Sequence, residues 1–166
     1  MMTQAVPQIA QGAQTDLYYN GEEDIAAEFV SDSKKYLTFV SNGLGFAICS
    51  DYVIEIINEH FITHLPRVPD YIKGIINLRG QIIPIMDVRL RMGHPEAALT
   101  KETCIIVITV NDNSIGLFVD KVLHMIDLSD DMISEPPVNN RQEFVNGITH
   151  VSDAVYLLLD CELLLK

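Results

Sequence analysis

The amino-acid sequence predicts a mainly β protein built from two small barrel lobes, and three observations lead to this prediction. Short apolar runs alternate with turn-forming residues, patterns with a helical period are short and few, and landmarks of the first half recur in the second. Each half offers about five short strands, and closing them into a small barrel would remove exposed sheet edges. A parallel α/β architecture is not favoured, because it needs a helix between successive strands.

The first half begins with a hairpin signal. Residues 36–40 and 44–49 are apolar, and the Asn-Gly pair between them favours a tight turn between two strands. Residues 52–57 follow as an apolar run around one acid, and residues 71–76 suit a helical turn. Residues 81–86 are predicted to form a strand, in which Pro84 indicates an edge position or a bulge.

The second half repeats this arrangement. Residues 104–110 are predicted to form a strand, residues 111–113 a turn and residues 114–119 the return strand. An apolar run at residues 122–126 and a strand at residues 154–159 complete the half.

Landmark spacings indicate an internal repeat. Gly74 precedes Asp87 by 13 residues, and Gly147 precedes Asp160 by the same 13. The two halves are offset by 71–73 residues, and the sequence 87–90 resembles the sequence 160–163. The alternative is a chance likeness between two β-rich halves.

The charge of the chain is unevenly distributed. The 166 residues carry 23 acidic and 11 basic side chains, a net charge of −12. Residues 1–33 contain six acids and no Lys or Arg, so they account for −6, and the other 17 acids and 11 bases account for the other −6. We expect residues 1–33 to form a mostly disordered acidic tail, with at most a marginal helix at residues 22–29, and residues 34–166 to form the folded domain.

Several classes of function are disfavoured. An acidic surface repels phosphate backbones, so we expect no nucleic-acid partner. No apolar run approaches the length of a membrane helix and no secretory signal begins the chain, so we expect a soluble cytoplasmic protein without direct membrane insertion. Three widely spaced cysteines without a CxxC pair predict reduced thiols rather than a disulfide framework or a zinc site. We find no nucleotide-binding loop, nucleophile elbow or HExxH motif, and we expect no catalytic residues, metal or cofactor.

One charged side chain stands out in the segment 74–89. Arg79 lies between two glycine-punctuated apolar runs, where a lone guanidinium is not easily buried and needs an acidic partner. Glu55, isolated in the apolar run 52–57, is the obvious candidate. The alternative for each residue is a strand position that faces solvent.

These residues resemble a known family. The stretch 72–80 (Ile-Lys-Gly-Ile-Ile-Asn-Leu-Arg-Gly), followed by Pro84 and by Asp-Val-Arg at 87–89, closely resembles the CheW family, the bacterial chemotaxis coupling proteins. The resemblance extends in order across residues 35–165 and includes residues 53–56, residues 116–120 and Gly147. It departs from the family at Val88, usually Leu, and at Cys104, usually aliphatic, and the acidic tail has no dependable counterpart.

The resemblance implies a fold, partners and a site. The implied fold is two intertwined SH3-like five-stranded β-barrels with short helices around a shared core. The implied function is that of a non-enzymatic scaffold between the cytoplasmic tip of chemoreceptors and the regulatory domain of a CheA-type histidine kinase, within arrays attached to the membrane. The site carried over by position is a receptor-binding groove with a charge pair of Glu55 and Arg79, lined or shaped by Val53, Gly74, Cys104, Gly116 and Val122. The residues that contact the kinase are not assigned.

Two alternative functions remain open at this point. The same scaffold serves pilus motility or developmental signalling in other members of the family. A double barrel that binds a small molecule outside signalling is the second alternative, although the chain offers few convergent polar groups to orient a ligand.

Overall fold

The computed structural model describes residues 32–58, 61–137 and 143–166. Within them, Lys34–Lys166 forms one compact unit. The expected acidic tail falls almost wholly outside the described residues, as does the marginal helix expected at residues 22–29. The strands of the described residues are β1 (Ser33–Ser41), β2 (Leu44–Cys49), β3 (Val53–Ile57), β4 (Ile72–Leu78), β5 (Gln81–Asp87), β6 (Cys104–Val110), β7 (Asn113–Val119), β8 (Lys121–Ser129), β9 (Ile133–Ser134), β10 (Val145–Val151) and β11 (Ala154–Leu159). Two short helices, α1 (Val88–Arg91) and α2 (Cys161–Leu164), follow β5 and β11, and 3₁₀ turns occupy Ser50–Tyr52 and Asp130–Met132.

The strands form two sheets, and each sheet draws on both halves of the sequence. Sheet 1 has the order β8-β1-β2-β11-β10-β9, and sheet 2 has the order β3-β6-β7-β5-β4. The mainly β fold with two intertwined lobes is therefore confirmed, although the described part of sheet 1 has six strands rather than five. The simpler expectation of one barrel per sequence half is wrong, because β2 pairs in parallel with β11 from the far end of the chain.

Each sheet curls until its two edge strands approach one another. In sheet 1 the edge strands β8 and β9 are joined by only three residues, Asp130–Met132, which span about 10 Å at most. In sheet 2 the segment after β3 reaches β4, where the backbones of Thr63 and Ile75 exchange two hydrogen bonds of 2.9 Å. This curling brings residues of β3 and of the β4–β5 hairpin to one seam, which holds part of the candidate site.

The core has a shared layer and a cluster belonging to each sheet. The shared layer joins Phe39 and Phe46 of sheet 1, whose ring centroids are 5.5 Å apart, to buried residues of sheet 2 such as Ile106 and Leu117. Separate clusters lie on the other face of each sheet. Both faces of β6 are consequently buried, which explains why Cys104–Val110 is almost continuously apolar instead of alternating.

The internal repeat is present in the hairpins β4–β5 and β10–β11. The register shifts immediately before Gly74 in the first hairpin and immediately before Gly147 in the second. Each hairpin ends in an aspartate, Asp87 or Asp160, whose carboxylate accepts hydrogen bonds from the first turn of the following helix. The equal spacing of 13 residues in the sequence therefore corresponds to two equivalent structural units.

The helical turn expected at residues 71–76 is wrong, because residues 72–76 belong to β4. Gly74 and Ile76 are buried while the residues between and around them are less so, which is the alternation of a strand. Pairing on both sides, with β5 and with Thr63, overrides the weak local preference.

Pro84 lies in a strand inside sheet 2, so the expected edge position is wrong for β5 as a whole. The partner of Pro84 on β4 is Ile75, whose backbone groups point away from β5 toward Thr63. Pro84 and Ile75 are therefore a pair without mutual hydrogen bonds, and the backbone nitrogen of Pro84 faces away from β4. Pairing with β7 begins only at Ile85, so no hydrogen bond of the sheet is lost.

Candidate functional site

The predicted partnership between Glu55 and Arg79 is confirmed by the structure. Nη1 and Nη2 of Arg79 donate to the two carboxylate oxygens of Glu55, the second at 3.4 Å. Glu55 is in the middle of β3, and Arg79 is in the turn between β4 and β5. The pair therefore bridges the two edge strands of sheet 2, which are farthest apart in the strand order.

The turn between β4 and β5 places Arg79 at the tip of a hairpin. Arg79 and Gly80 both have positive φ angles, 52° and 86°, and the side-chain oxygen of Asn77 accepts a 2.9 Å hydrogen bond from the Gly80 N–H. This is the geometry of a tight hairpin turn, in which Gly80 adopts a left-handed conformation without steric cost. Arg79 is thereby fixed at the tip of a rigid hairpin rather than on a long loop.

The pair is exposed unequally, which bears on its role. The side chain of Arg79 is 75% exposed, whereas that of Glu55 is 25% exposed. An ion pair that is so accessible contributes about 1 kcal/mol or less to stability. The contact with Glu55 uses two of the five N–H donors of the guanidinium.

The strand and the hairpin that carry this charge pair also expose apolar side chains. Ile54 and Ile56, on either side of Glu55, point to the opposite face of β3 and are 56% and 41% exposed. Ile82, three residues after Arg79, is 56% exposed. These three residues were not among those predicted for the site. The signal was present in the run Val-Ile-Glu-Ile-Ile, which is apolar on both faces although β3 is an edge strand.

Val53 and Gly74 lie on the two strands that meet at this seam. Val53 is half-buried against the shared core layer. Gly74 has a φ of 147°, and a Cβ atom there would overlap the carbonyl oxygen of Thr63. Gly74 therefore permits the close approach between β4 and the segment after β3, and shapes the surface without contributing a side chain.

The other three predicted residues lie elsewhere in sheet 2 or beside it. Cys104, at the start of β6, is buried, and its thiol interacts with the backbone N–H of Val122. Burial raises the pKa of this thiol, while that hydrogen bond lowers it in part. Gly116 is inside sheet 2, where a Cβ atom would press on the side chains of Ile85 and Ile105. Thus four of the seven residues lie at the seam, Cys104 meets Val122, and Gly116 is part of the interior.

Two further findings concern the described residues as a whole. No group of three or more His, Cys, Asp or Glu side chains in the described ranges is placed to hold a metal ion. Among the helices of the same ranges, none is long and apolar enough to cross a membrane.

Comparisons with known proteins agree with the fold. The family model described as the CheW-like domain matches residues 35–166. The chemotaxis protein CheW of Helicobacter pylori is 28% identical, covering 91% of this chain and 94% of the relative. The chemotaxis protein CheW of Bacillus subtilis is 35% identical over 65% of this chain and 69% of its own. Protein PilI of Pseudomonas aeruginosa is 32% identical over 66% and 67%, respectively.

A solved structure gives the same result for the fold. The scaffolding protein TtCheW of Thermoanaerobacter tengcongensis superimposes with a TM-score of 0.72 and 31% identity, covering 76% of this chain and 88% of that protein. The family match covers both sheets, both repeated hairpins and the Glu55–Arg79 seam. The chain therefore belongs to the CheW-like family, and it is a coupling adaptor of chemotaxis signalling.

Proposed function

We propose that this adaptor works in the cytoplasm, without catalytic activity, by binding the cytoplasmic tip of chemoreceptors and the regulatory domain of a CheA-type histidine kinase at the same time. The family match over residues 35–166 and the similarity to a scaffolding protein support this proposal. A scaffold needs surfaces for two partners rather than a reactive centre, and the described residues offer apolar surface next to an anchored charge.

The receptor-binding site in this proposal is the seam of sheet 2. The observation that carries it is the unequal exposure of the Glu55–Arg79 pair, in which Glu55 anchors an arginine that is 75% exposed. An α-helix that docks on a protein commonly places its apolar face in a groove and meets a polar group at the rim. Val53, half-buried on β3 near Glu55, would supply an apolar contact, and Arg79 would supply the polar contact.

The remaining predicted residues have supporting roles in this proposal. Val53 and Val122 are half-buried and would line the groove. Gly74, Cys104 and Gly116 are buried, so they would set the shape of the groove through the packing of sheet 2 rather than touch the receptor.

The pathway is a separate question, because relatives differ in name. The similarity to protein PilI supports a second candidate, in which the same scaffold also serves a pilus-motility pathway. Both candidates require receptor and kinase surfaces on this chain, so the experiments below test the element that they share.

The direct test is a reconstitution of the signalling complex. The full-length protein is mixed with receptor signalling fragments and the histidine kinase, and both complex formation and kinase autophosphorylation are measured. We expect a ternary complex and a change in kinase activity that requires this protein. Absence of both would contradict the proposed function, and receptors from each pathway used in parallel would distinguish the two candidates.

Charge reversal at the proposed contact tests the site itself. We expect Arg79→Glu to weaken receptor binding about 10- to 100-fold, as loss of a central interface arginine commonly does, while the protein stays folded. The matched control is Lys35→Glu, which reverses one charge of an exposed ion pair with Asp127 on sheet 1. Titration calorimetry with a receptor fragment measures both variants, and circular dichroism checks their folding. Equal affinity of folded Arg79→Glu and wild type would refute the assignment.

A double variant separates a direct contact from a positioning effect. Glu55→Arg combined with Arg79→Glu keeps the ion pair but places the negative charge at the exposed position. If Arg79 contacts the receptor, the swapped protein stays defective. Recovery of receptor binding in the swapped protein would mean that the pair acts only by holding the seam together.

A further inference from the structure

Two cysteines from opposite ends of the domain face one cavity in sheet 1. Cys49 ends β2, and Cys161 begins α2 directly after β11 and Asp160. Both line a cavity of about 410 Å³ whose wall also includes Tyr36 and Tyr52. Cys49 is half-buried and Cys161 is fully buried, and both thiols are free.

The strand register sets the distance between the two backbones. β2 and β11 are parallel, with Phe46 opposite Leu157 and Ala47 opposite Leu158. Continued for two residues, this register places Cys49 beside Asp160, the neighbour of Cys161. With about 4.8 Å between strands and about 3.3 Å per residue along them, the two cysteine Cα atoms come within roughly 6 Å. Disulfides join Cα atoms that are about 4.4–6.8 Å apart.

The direction of the side chains also suits a bond. Strand alternation would send Cys49 and Cys161 to opposite faces if both belonged to strands. Cys161 instead belongs to α2, so the helix sets the direction of its side chain, and Cys161 lines the same cavity as Cys49. We propose that Cys49 and Cys161 form a reversible intramolecular disulfide when the protein meets a peroxide.

Access to solvent decides which thiol reacts first. The half-buried Cys49, as thiolate, attacks an oxygen of hydrogen peroxide, so that an S–O bond forms, the O–O bond breaks and hydroxide leaves. The sulfur of Cys161 then attacks the sulfenic acid on Cys49, an S–S bond forms, the S–O bond breaks, and the departing hydroxide takes up the Cys161 proton as water. In total, two thiols lose two electrons, and one peroxide is reduced to two molecules of water.

The burial of Cys161 governs the speed of the second step. Burial, with smaller contributions from the nearby Asp160, Cys49 and Glu162, raises the pKa of its thiol to about 12. Cys161 is therefore protonated at neutral pH and suits the role of the second, resolving thiol. We expect closure of the disulfide to accelerate as the pH rises from 7 to 9, because the thiolate fraction rises.

Cys104 provides a matched control within the same chain. It is also a buried thiol, but it lies at the start of β6 in sheet 2 and interacts with Val122 instead of lining this cavity. The full-length wild type and the variants Cys104→Ala, Cys49→Ser and Cys161→Ala are treated with hydrogen peroxide. Free thiols are then alkylated in denaturant, and peptides are mapped without reduction by mass spectrometry.

The expected result is a peptide pair linked between Cys49 and Cys161 in the wild type and in Cys104→Ala. The linked pair falls to background in Cys49→Ser, and in Cys161→Ala the sulfenic acid on Cys49 is trapped by dimedone. A reductant restores both thiols in the wild type. A wild type that accumulates sulfenic acid on Cys49 with no linked peptide would overturn the proposal, as would linkage to Cys104 or linkage between two molecules. The deciding measurement is the linked peptide between Cys49 and Cys161 in the wild type, so the outcome does not depend on whether a variant folds.

Discussion

Gly74 shows how a single residue can decide whether the seam of sheet 2 forms. Its φ of 147° lies in a region that residues with a side chain rarely adopt, and the carbonyl of Thr63 occupies the space of a Cβ atom. The exchange of hydrogen bonds between Thr63 and Ile75 depends on this close approach. A side chain at position 74 therefore separates the edge strands whose approach brings Glu55 and Arg79 together.

We expect Gly74→Ala to lower the free energy of unfolding by about 3 kcal/mol or more, because backbone strain and overpacking add. The matched control is Gly80→Ala in the same hairpin, where φ is also positive but a Cβ atom meets nothing within 4 Å. This control should cost only about 1–2 kcal/mol, from backbone strain alone. Urea denaturation measures the free energy of unfolding of both variants. Equal losses in the two variants would mean that the contact with Thr63 adds nothing to the cost of Gly74→Ala.

Residues of the site differ in how far the sequence could predict them. The Glu55–Arg79 pair was predictable because each charge was isolated among apolar residues, and such charges need a partner. The positions of Cys104 and Gly116 in the fold were not predictable, because neither a buried cysteine nor a tightly packed glycine shows in the sequence which surface it supports. Ile54 and Ile56 were missed because only the sheet order shows that β3 is an edge strand.

At the scale of elements, the repeated hairpins end in the same capping arrangement. The backbone N–H groups of Asp87 and Asp160 donate to the carbonyls of Tyr71 and Phe144, each at 2.7 Å. The guanidinium of Arg91, in α1, lies between the rings of these two aromatic residues, 4.6 and 4.5 Å from their centroids. One guanidinium thus contacts an aromatic ring from each of the two repeated units. Contacts between a guanidinium and an aromatic face are favourable.

Removal of the two caps should have unequal effects. We expect Asp160→Ala to cost about 1 kcal/mol of unfolding free energy, the usual value of an N-cap. Asp87→Ala should cost about 2–3 kcal/mol, because the buried carboxylate also pairs with Lys73 at 3.5 Å, and a half-buried ammonium then loses a partner. Chemical denaturation measures both variants, with Asp160→Asn as a control that keeps an acceptor. A smaller loss for Asp87→Ala than for Asp160→Ala would contradict this ranking.

For the whole molecule, the two sheets are held together by a polar network as well as by the shared core. Arg89 of α1 donates to both carboxylate oxygens of Asp120 and to the side-chain oxygen of Asn42. Asn42 is in the β1–β2 turn of sheet 1, and Asp120 joins β7 of sheet 2 to β8 of sheet 1. The Asp-Val-Arg motif that identifies the family in sequence therefore caps α1 through its aspartate and links the sheets through its arginine.

The stability of the domain should be independent of most of the acidic N-terminal segment. We propose that residues 34–166 fold on their own, since the family match begins at residue 35 and the first pair between β1 and β2 is Tyr36 with Cys49. Deletion of residues 1–33 is expected to change the melting temperature by only a few degrees, about 1 kcal/mol or less. Differential scanning calorimetry on both proteins provides the measurement. A large decrease would mean that the segment contributes to the folded unit.

The sequence by itself determined the fold class, most strand positions, the internal repeat and the partnership of Glu55 with Arg79. These features depend on local patterns: apolar periodicity, turn residues, spacing and isolated charges. The tertiary structure alone decided that β2 pairs with β11, that residues 72–76 belong to a strand and that Cys49 and Cys161 line one cavity. Each of these depends on which distant strands exchange hydrogen bonds, and strand pairing over long separations is set by the global burial of apolar surface, which no short segment encodes.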